Sequence, residues 1–263
     1  MTLLAPSDAT AVEYDRLAPF YDRFTAGYDY ETWIAAIEHH ARLLGLEGTR
    51  ALDIACGTGK STLPLLTRGY SVLGCDISSE MIREARAKVP AQADTFFVAD
   101  MRDLPSVGKF DFVLCLDDAI NYLLSDPELE AAFDGVARSL SPHGVFAFDV
   151  NSLLTYRTAF AETYVSEERG VFFTWRGGGT PEIQPGEMAS ATVEILAEQG
   201  EGCWERHMVR HVQRHHPCHA VRAALEHAGL ECCLELGQHP GARLEDGVDE
   251  HRHTKVVYFA RIR

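Results

Sequence analysis

Positive charge is scarce in this chain. Its 24 Lys and Arg stand against 39 Asp and Glu, a net charge of −15 with the histidines neutral. Phosphate backbones and anionic membrane surfaces are met by basic patches, so neither a nucleic acid nor a membrane is an expected partner. No stretch approaches the roughly 18 apolar residues of a membrane-spanning helix. The first ten residues hold neither a basic region nor a long apolar run, so no secretory leader is expected. No Cys-x-x-Cys pair occurs among Cys56, Cys75, Cys115, Cys203, Cys218, Cys232 and Cys233. Most of them sit in apolar segments and read as small buried residues of a cytoplasmic protein. Repeats of about 20–50 residues are missing. What remains is 263 residues of ordinary apolar content, enough for one α/β domain with an elaboration.

The strongest positive signal is Ala51-Leu52-Asp53-Ile54-Ala55-Cys56-Gly57-Thr58-Gly59. An apolar strand ends in an acid, and a Gly-x-Gly turn opens a helix pattern. Glycines let the backbone approach a nucleotide-type ligand, and the carboxylate reads its polar end. A dinucleotide pyrophosphate calls for Gly-x-Gly-x-x-Gly, and the third position here is Thr62. That weighs against an NAD-type oxidoreductase, which a direct NAD binding test separates.

The acid-ended strand recurs. Tyr70–Ser78 carries Asp76, one strand–helix–strand unit after Asp53, and Thr95–Met101 carries Asp100. Phe110–Leu116 runs into Asp117, Asp118, Asn121 and Tyr122, and Gly144–Val150 reads as a fifth strand. Helices are expected over Ser79–Lys88 and Pro127–Leu140, with Ser78 or Ser79 as the cap of the first. Asp117 and Asp118 stand where open α/β sheets gather ligands, or else cap the short helix that follows.

Leu52 to Gly59 resembles motif I of the class I S-adenosylmethionine-dependent methyltransferases, with Ala55 in place of its first glycine and Lys60 in place of its third. Residues 45 to about 150 resemble the whole core of that family. The resemblance implies S-adenosylmethionine as cofactor. It implies Asp53 and Gly57 on the methionyl side, with Ala55 also against the cofactor, Asp76 on the ribose hydroxyls and Ile77 on the adenine. It also implies Asp100 with Met101 at the adenine edge and Leu116 below the sulfur. Met81 and Asp117 complete the expected cofactor contacts.

Four regions are expected: a helical lid over 1–46, a cofactor-binding core over 47–150, an inserted antiparallel sheet over 151–216 and the rest of the core over 217–263. The fold class is thus α/β, a doubly wound Rossmann-like mixed sheet with its last strand antiparallel. In the insert the period drops to two over Thr163–Glu167, Val171–Arg176, Met188–Leu196 and Trp204–Arg214. A helix over Pro217–Ala228 and strands over Leu230–Gln238 and Thr254–Ile262 close the chain.

The aromatic N-terminus, with Tyr14, Tyr21, Tyr30 and Trp33, reads on its own as an amphipathic helix docked on the core. It also resembles the opening segment of small-molecule N- and O-methyltransferases, the glycine and aminosugar types included. That resemblance implies Tyr21, Tyr30 and Trp33 at the methionyl end, where aromatic faces suit a sulfonium. It places Tyr14 near the acceptor, and Tyr14 and Asp118 are the candidate catalytic residues.

Histidines crowd at 207, 211, 215, 216 and 219. On a strand, four residues span ~13 Å, too far for one ion bound at ~2 Å, so no metal is expected. His207 and His211, with Asn121 and Tyr122, read as acceptor-facing. The expected activity is methyl transfer to an amine, or less readily a hydroxyl, of a small metabolite such as an aminosugar or natural-product intermediate. A non-catalytic cofactor-binding sensor is the alternative from another class, and a homo-oligomer is left open.

Overall fold

A computed structural model describes residues 6–200 and 202–263. Eight strands form the main sheet: β1 (Arg50–Ile54), β2 (Ser71–Asp76), β3 (Phe96–Val98), β4 (Phe110–Cys115), β5 (Leu140–Asn151), β10 (Leu230–His239), β11 (Arg243–Asp246) and β12 (Lys255–Ile262). Their spatial order is β11-β10-β12-β5-β4-β1-β2-β3. The five strands from β1 to β5 pair in parallel. The last strand, β12, runs antiparallel to both of its neighbours. Parallel strands carry apolar residues on both faces because both faces are covered. Leu52, Val113, Phe133, Phe146, Phe148 and Tyr258 pack on one side. Ala51, Phe112, Leu114, Val145 and Phe259 pack on the other, against Ile34 and Ile37.

Those two isoleucines belong to α2 (Tyr30–Leu43), whose buried residues Tyr30, Trp33, Ile34, Ile37 and Ala41 form one helical stripe. Asp29 caps it, accepting the Thr32 N–H at 3.0 Å. Before it, α1 (Pro6–Phe24) presents Leu17, Ala18 and Phe20 to a second sheet. That sheet is the antiparallel meander β6 (Thr163–Glu168), β7 (Val171–Gly177), β8 (Met188–Gly200) and β9 (Cys203–Arg214). Phe173, Val193 and Val209 of its inner face are fully buried around α1. One helix thus joins the two sheets, and the space between them is where a ligand can be enclosed.

The core's connecting helices are α3 (Thr62–Thr67), α4 (Ser79–Lys88), α5 (Asp126–Ser139) and α7 (Cys218–His227). Three features depart from the sequence expectation. The third strand is only Phe96–Val98, because Asp100 turns the chain by accepting the Arg102 N–H at 2.9 Å. The first strand of the insert begins at Thr163 as expected, but α6 (Leu153–Arg157) precedes it unforeseen, its Leu154 N–H bonded to the Glu250 carbonyl. The edge strand β11 was not foreseen. Among the described residues, no helix is long and apolar enough to cross a membrane.

Candidate active site

The carboxyl ends of β1, β2 and β4 open into a cavity. It is lined by Ala55, Gly57, Asp76, Ile77, Asp100, Met101, Leu116 and Asp117 of the core, and by Tyr14 and Tyr21 of α1. The turn after β1 is strained, with φ of 56° at Ala55 and 53° at Gly57. A Cβ on Gly57 would lie 3.7 Å from the Tyr21 ring, filling the space the turn leaves. Asp76 accepts the N–H groups of Gly57 and Ser78, each at 2.9 Å, which anchors its carboxylate on the cavity wall. Burial raises its pKa to about 6, and the two backbone donors oppose the shift. Ser78 caps α4 through the Met81 N–H, and its hydroxyl donates to Asp15 of α1 at 2.6 Å, so α1 is latched to the rim.

Four expected cofactor contacts stand outside this wall. Asp53 is buried and occupied, accepting hydroxyls from Ser61 at 2.7 Å and Thr62 at 2.5 Å. Thr62 therefore stands at the third-glycine position as a partner for the motif's own acid. Met81 is fully buried in the cluster that carries Leu17. Tyr30 donates its hydroxyl to Asp117 at 2.8 Å. Trp33 faces a second cavity instead.

That second cavity, of about 430 Å³, lies between α1, α2, the small sheet and the β10–β11 hairpin. Tyr14, Tyr21, Asp117 and Tyr122 line both cavities and so form the seam between them. Beside the seam is a charge cluster. The Lys255 ammonium lies 2.8 Å from Asp118, 2.8 Å from Asp149 and 3.3 Å from Asp117. Asp149 also accepts the N–H groups of Asp117 at 2.7 Å and Asp118 at 2.9 Å. Both of those residues are left-handed, with φ of 62° and 54°. Asp118 stands at the start of the short helical turn Ala119–Tyr122 but makes no side-chain cap bond.

Burial, with Asp117 and Asp149 nearby, raises Asp118 to about 6 against the pull of Lys255. For Lys255 burial disfavours the charge, but the three carboxylates outweigh it and hold the ammonium well above its usual range. Burial first, then neighbouring phenols and carboxylates, push Tyr14, Tyr21 and Tyr30 well above the usual phenol range. These hydroxyls remain protonated donors at neutral pH.

His211 lines the second cavity, and burial lowers it to about 4, so its imidazole is neutral. Its Nδ1 lies 2.6 Å from the Tyr122 hydroxyl, its ring stacks on Trp175, and its Nε2 is buried without a partner among the described residues. Two expected acceptor contacts reach neither cavity wall. His207 packs on Phe20, ring centres 4.9 Å apart. Asn121 is a structural tie, donating to the Arg214 carbonyl at 2.9 Å and accepting the Asn151 N–H at 2.8 Å. The remaining histidines disperse: His215 pairs with Glu250 at 2.6 Å, and His216 bonds the Leu123 carbonyl at 2.9 Å.

A separate trio, His239, Glu245 and His253, converges behind the cavity wall. Arg243 and Arg252 stand beside its carboxylate and disfavour a cation there. Sequence reasoning missed Asp149, Lys255 and Trp175. Asp149 had a signal, as the acid ending the fifth strand.

The first cavity suits an adenosyl sulfonium. It offers an anchored carboxylate for a diol, apolar Ile77, Met101 and Leu116 for a base, and tyrosine faces for a positive sulfur. Residues 51–144 match a family model described as Methyltransferase domain. YqeM of Bacillus subtilis (strain 168), named as a methyltransferase, is 29% identical over 222 residues, 83% of this chain and 86% of its own. A methyltransferase-named relative from Geobacillus sp. (strain WCH70) is 31% identical over 166 residues, 62% of this chain and 67% of its own. The dTDP-3-amino-3,4,6-trideoxy-alpha-D-glucopyranose N,N-dimethyltransferase of Streptomyces venezuelae is 30% identical over 153 residues, 57% of this chain and 62% of its own.

Among solved structures, an S-adenosylmethionine-dependent methyltransferase from Clostridium acetobutylicum ATCC 824 superposes with a TM-score of 0.80 at 24% identity. The match covers 95% of this chain and 98% of that one, and it speaks to the fold alone. The sugar N-methyltransferase KedS8 from Streptoalloteichus sp ATCC 53650 gives a TM-score of 0.72 at 25% identity, covering 92% and 93%. A glycine turn, a ligand cavity at the strand ends and relatives over most of its length agree: this chain belongs to the S-adenosylmethionine-dependent methyltransferases.

Proposed function

We propose that this enzyme methylates an amine nitrogen of a small metabolite, of the size of an aminosugar or natural-product intermediate. One observation carries the reading: the cavity at the strand ends and the second cavity beside it share Tyr14, Tyr21, Asp117 and Tyr122 as their seam. When bound, S-adenosylmethionine supplies an electrophilic methyl group. Asp76, Ile77, Asp100 and Met101 would hold its adenosine, with Ala55, Gly57 and Tyr21 toward the methionyl end.

The chain's own contribution is to place the acceptor. Asp117 and Asp118 accept N–H bonds from the incoming amine, and the protonated Tyr14 hydroxyl donates to the acceptor, together aiming the nitrogen lone pair across the seam. Such alignment, with water excluded by α1 and the small sheet, can supply much of a transfer rate. An amine that is neutral when it attacks keeps its N–H protons as the new C–N bond forms, so the product is an ammonium and no strong base is required in the transfer itself.

A hydroxyl acceptor is the second reading. It is favoured by the neutral His211, whose Nδ1 lies 2.6 Å from the Tyr122 hydroxyl and is placed to draw a proton. Mass spectrometry of products from matched amine and hydroxyl acceptors tests both. N-methylated product is expected, and transfer confined to hydroxyls would overturn the amine reading.

A further inference from the structure

The second cavity is acidic and aromatic, and this limits what can enter. Three carboxylates line it, Asp29, Asp117 and Asp118. Among the described lining residues the one Lys or Arg is Lys255, and it is already held by Asp117, Asp118 and Asp149. Helix N-termini are the other common anion sites, and the two beside this cavity are occupied by the chain's own acids. Asp29 caps α2, accepting the Thr32 N–H at 3.0 Å and the Thr32 hydroxyl at 2.6 Å. Glu250 accepts the Leu153 N–H at the start of α6, at 3.1 Å. A pyrophosphate placed here would lie beside carboxylates with no free cation to pair its charge, since the donors left on the wall are neutral, Trp33 Nε1 and His211 Nε2 among them, a costly arrangement. The walls instead carry aromatic faces. Tyr164 stacks on Trp175 with ring centres 5.9 Å apart, and Tyr28 and Trp33 stand on the α2 side. Carboxylates together with aromatic faces are the chemistry that holds an ammonium.

We infer that the acceptor is a phosphate-free amine, free or glycosidically linked, that is captured as its ammonium and passes one proton to the Asp118 carboxylate before its lone pair attacks, and that it is not a nucleotide-linked sugar. This rests on reading the second cavity as an amine acceptor site. It also sets the chain apart from the Streptomyces venezuelae relative, whose name specifies a dTDP-linked sugar.

The test uses the full chain saturated with S-adenosylhomocysteine. Calorimetric titrations compare choline, its uncharged carbon isostere 3,3-dimethylbutan-1-ol, and dTDP. Choline is expected to bind about tenfold or more tighter than the isostere, and dTDP to give no competition. Tyr164→Leu, at a position 46% exposed where the core is spared, should weaken choline severalfold and leave the isostere unchanged. Equal binding of choline and isostere, no choline binding, or displacement of choline by dTDP would each overturn the inference. Methyl transfer to a dTDP-linked aminosugar would overturn it too, while leaving N-methylation standing. Transfer to hydroxyls alone would instead sink N-methylation, with the cation preference measured independently.

Discussion

At the scale of single residues, the two acids of the β1 and β2 ends do different work. Asp76 faces the cavity with lone pairs to spare, whereas both partners of Asp53 are hydroxyls of its own loop. Asp76→Ala should therefore weaken S-adenosylhomocysteine binding by about 1.5–3 kcal/mol, the worth of a charged hydrogen bond. Asp53→Asn should cost stability first, and calorimetry beside a urea titration separates the two effects. Unchanged affinity in Asp76→Ala would sink the assignment of that acid. Lys255 invites a second substitution. Lys255→Met leaves three carboxylates unpaired in a buried site, an expected loss of about 3–5 kcal/mol in urea unfolding. Asp118, already at about 6, should then titrate higher. A carboxyl whose folded pKa exceeds its unfolded value costs stability while ionised, so the deficit should shrink as the pH falls below that raised pKa. A deficit independent of pH would mean the carboxylates are not the cause. The placement of Asp76 was readable because an acid at a strand end is a local pattern. The role of Lys255 was not, because its partners lie more than a hundred residues away.

At the scale of elements, periodicity carried far. The helix over Ser79–Lys88 and three of the four strands of the small sheet were foreseen to within a residue of their ends, while β8 runs four residues past the expected Leu196. The misses are short pieces. Four residues, Arg243–Asp246, are too few to show an alternation, and α6 is a single turn and a half held from outside by Glu250. The end of β9 offers a pH test. There His216 Nε2 bonds the Leu123 carbonyl, which staples the strand to the loop after β4. Burial, helped by Arg214 and His215 and opposed by the Leu123 carbonyl and Asp126, lowers its pKa to about 4. The unfolded value is near 6.5. The folded pKa is depressed, so the neutral ring's stability is fully present above about pH 6.5. It is lost as pH falls toward 4, by up to ~3 kcal/mol. His216→Gln keeps a donor that does not titrate. Its unfolding free energy should fall less steeply than wild type between those two pH values. Parallel pH profiles would show that this histidine does not set the slope.

At the scale of the whole molecule, the cofactor cavity comes from neighbours in sequence, and the acceptor cavity does not. The second cavity needs α1, the end of β4, Trp175, His211, the hairpin at 240–242 and Lys255 together. No window of sequence holds that set, which explains why His211, Tyr14 and Tyr122 were each anticipated singly while Trp175 and Lys255 beside them were not. The joint is α1: Tyr14 and Tyr21 line both cavities, Asp15 bonds Ser78 and the Glu80 N–H, and Glu13 accepts the Arg210 N–H of β9 at 2.8 Å. A ligand in the first cavity should therefore stabilise more than the loop it touches. At a hundredfold excess over Kd, S-adenosylhomocysteine adds about 2.7 kcal/mol to the folded state. For a chain of this size that corresponds to a rise of roughly 5–11 °C in Tm. Hydrogen exchange should locate the gain. Amides of α1 and of β9 near Arg210 should slow along with those of the turns after β1 and β2. Protection confined to those two turns would show that α1 does not couple the cavities, and the seam would then be only a shared wall.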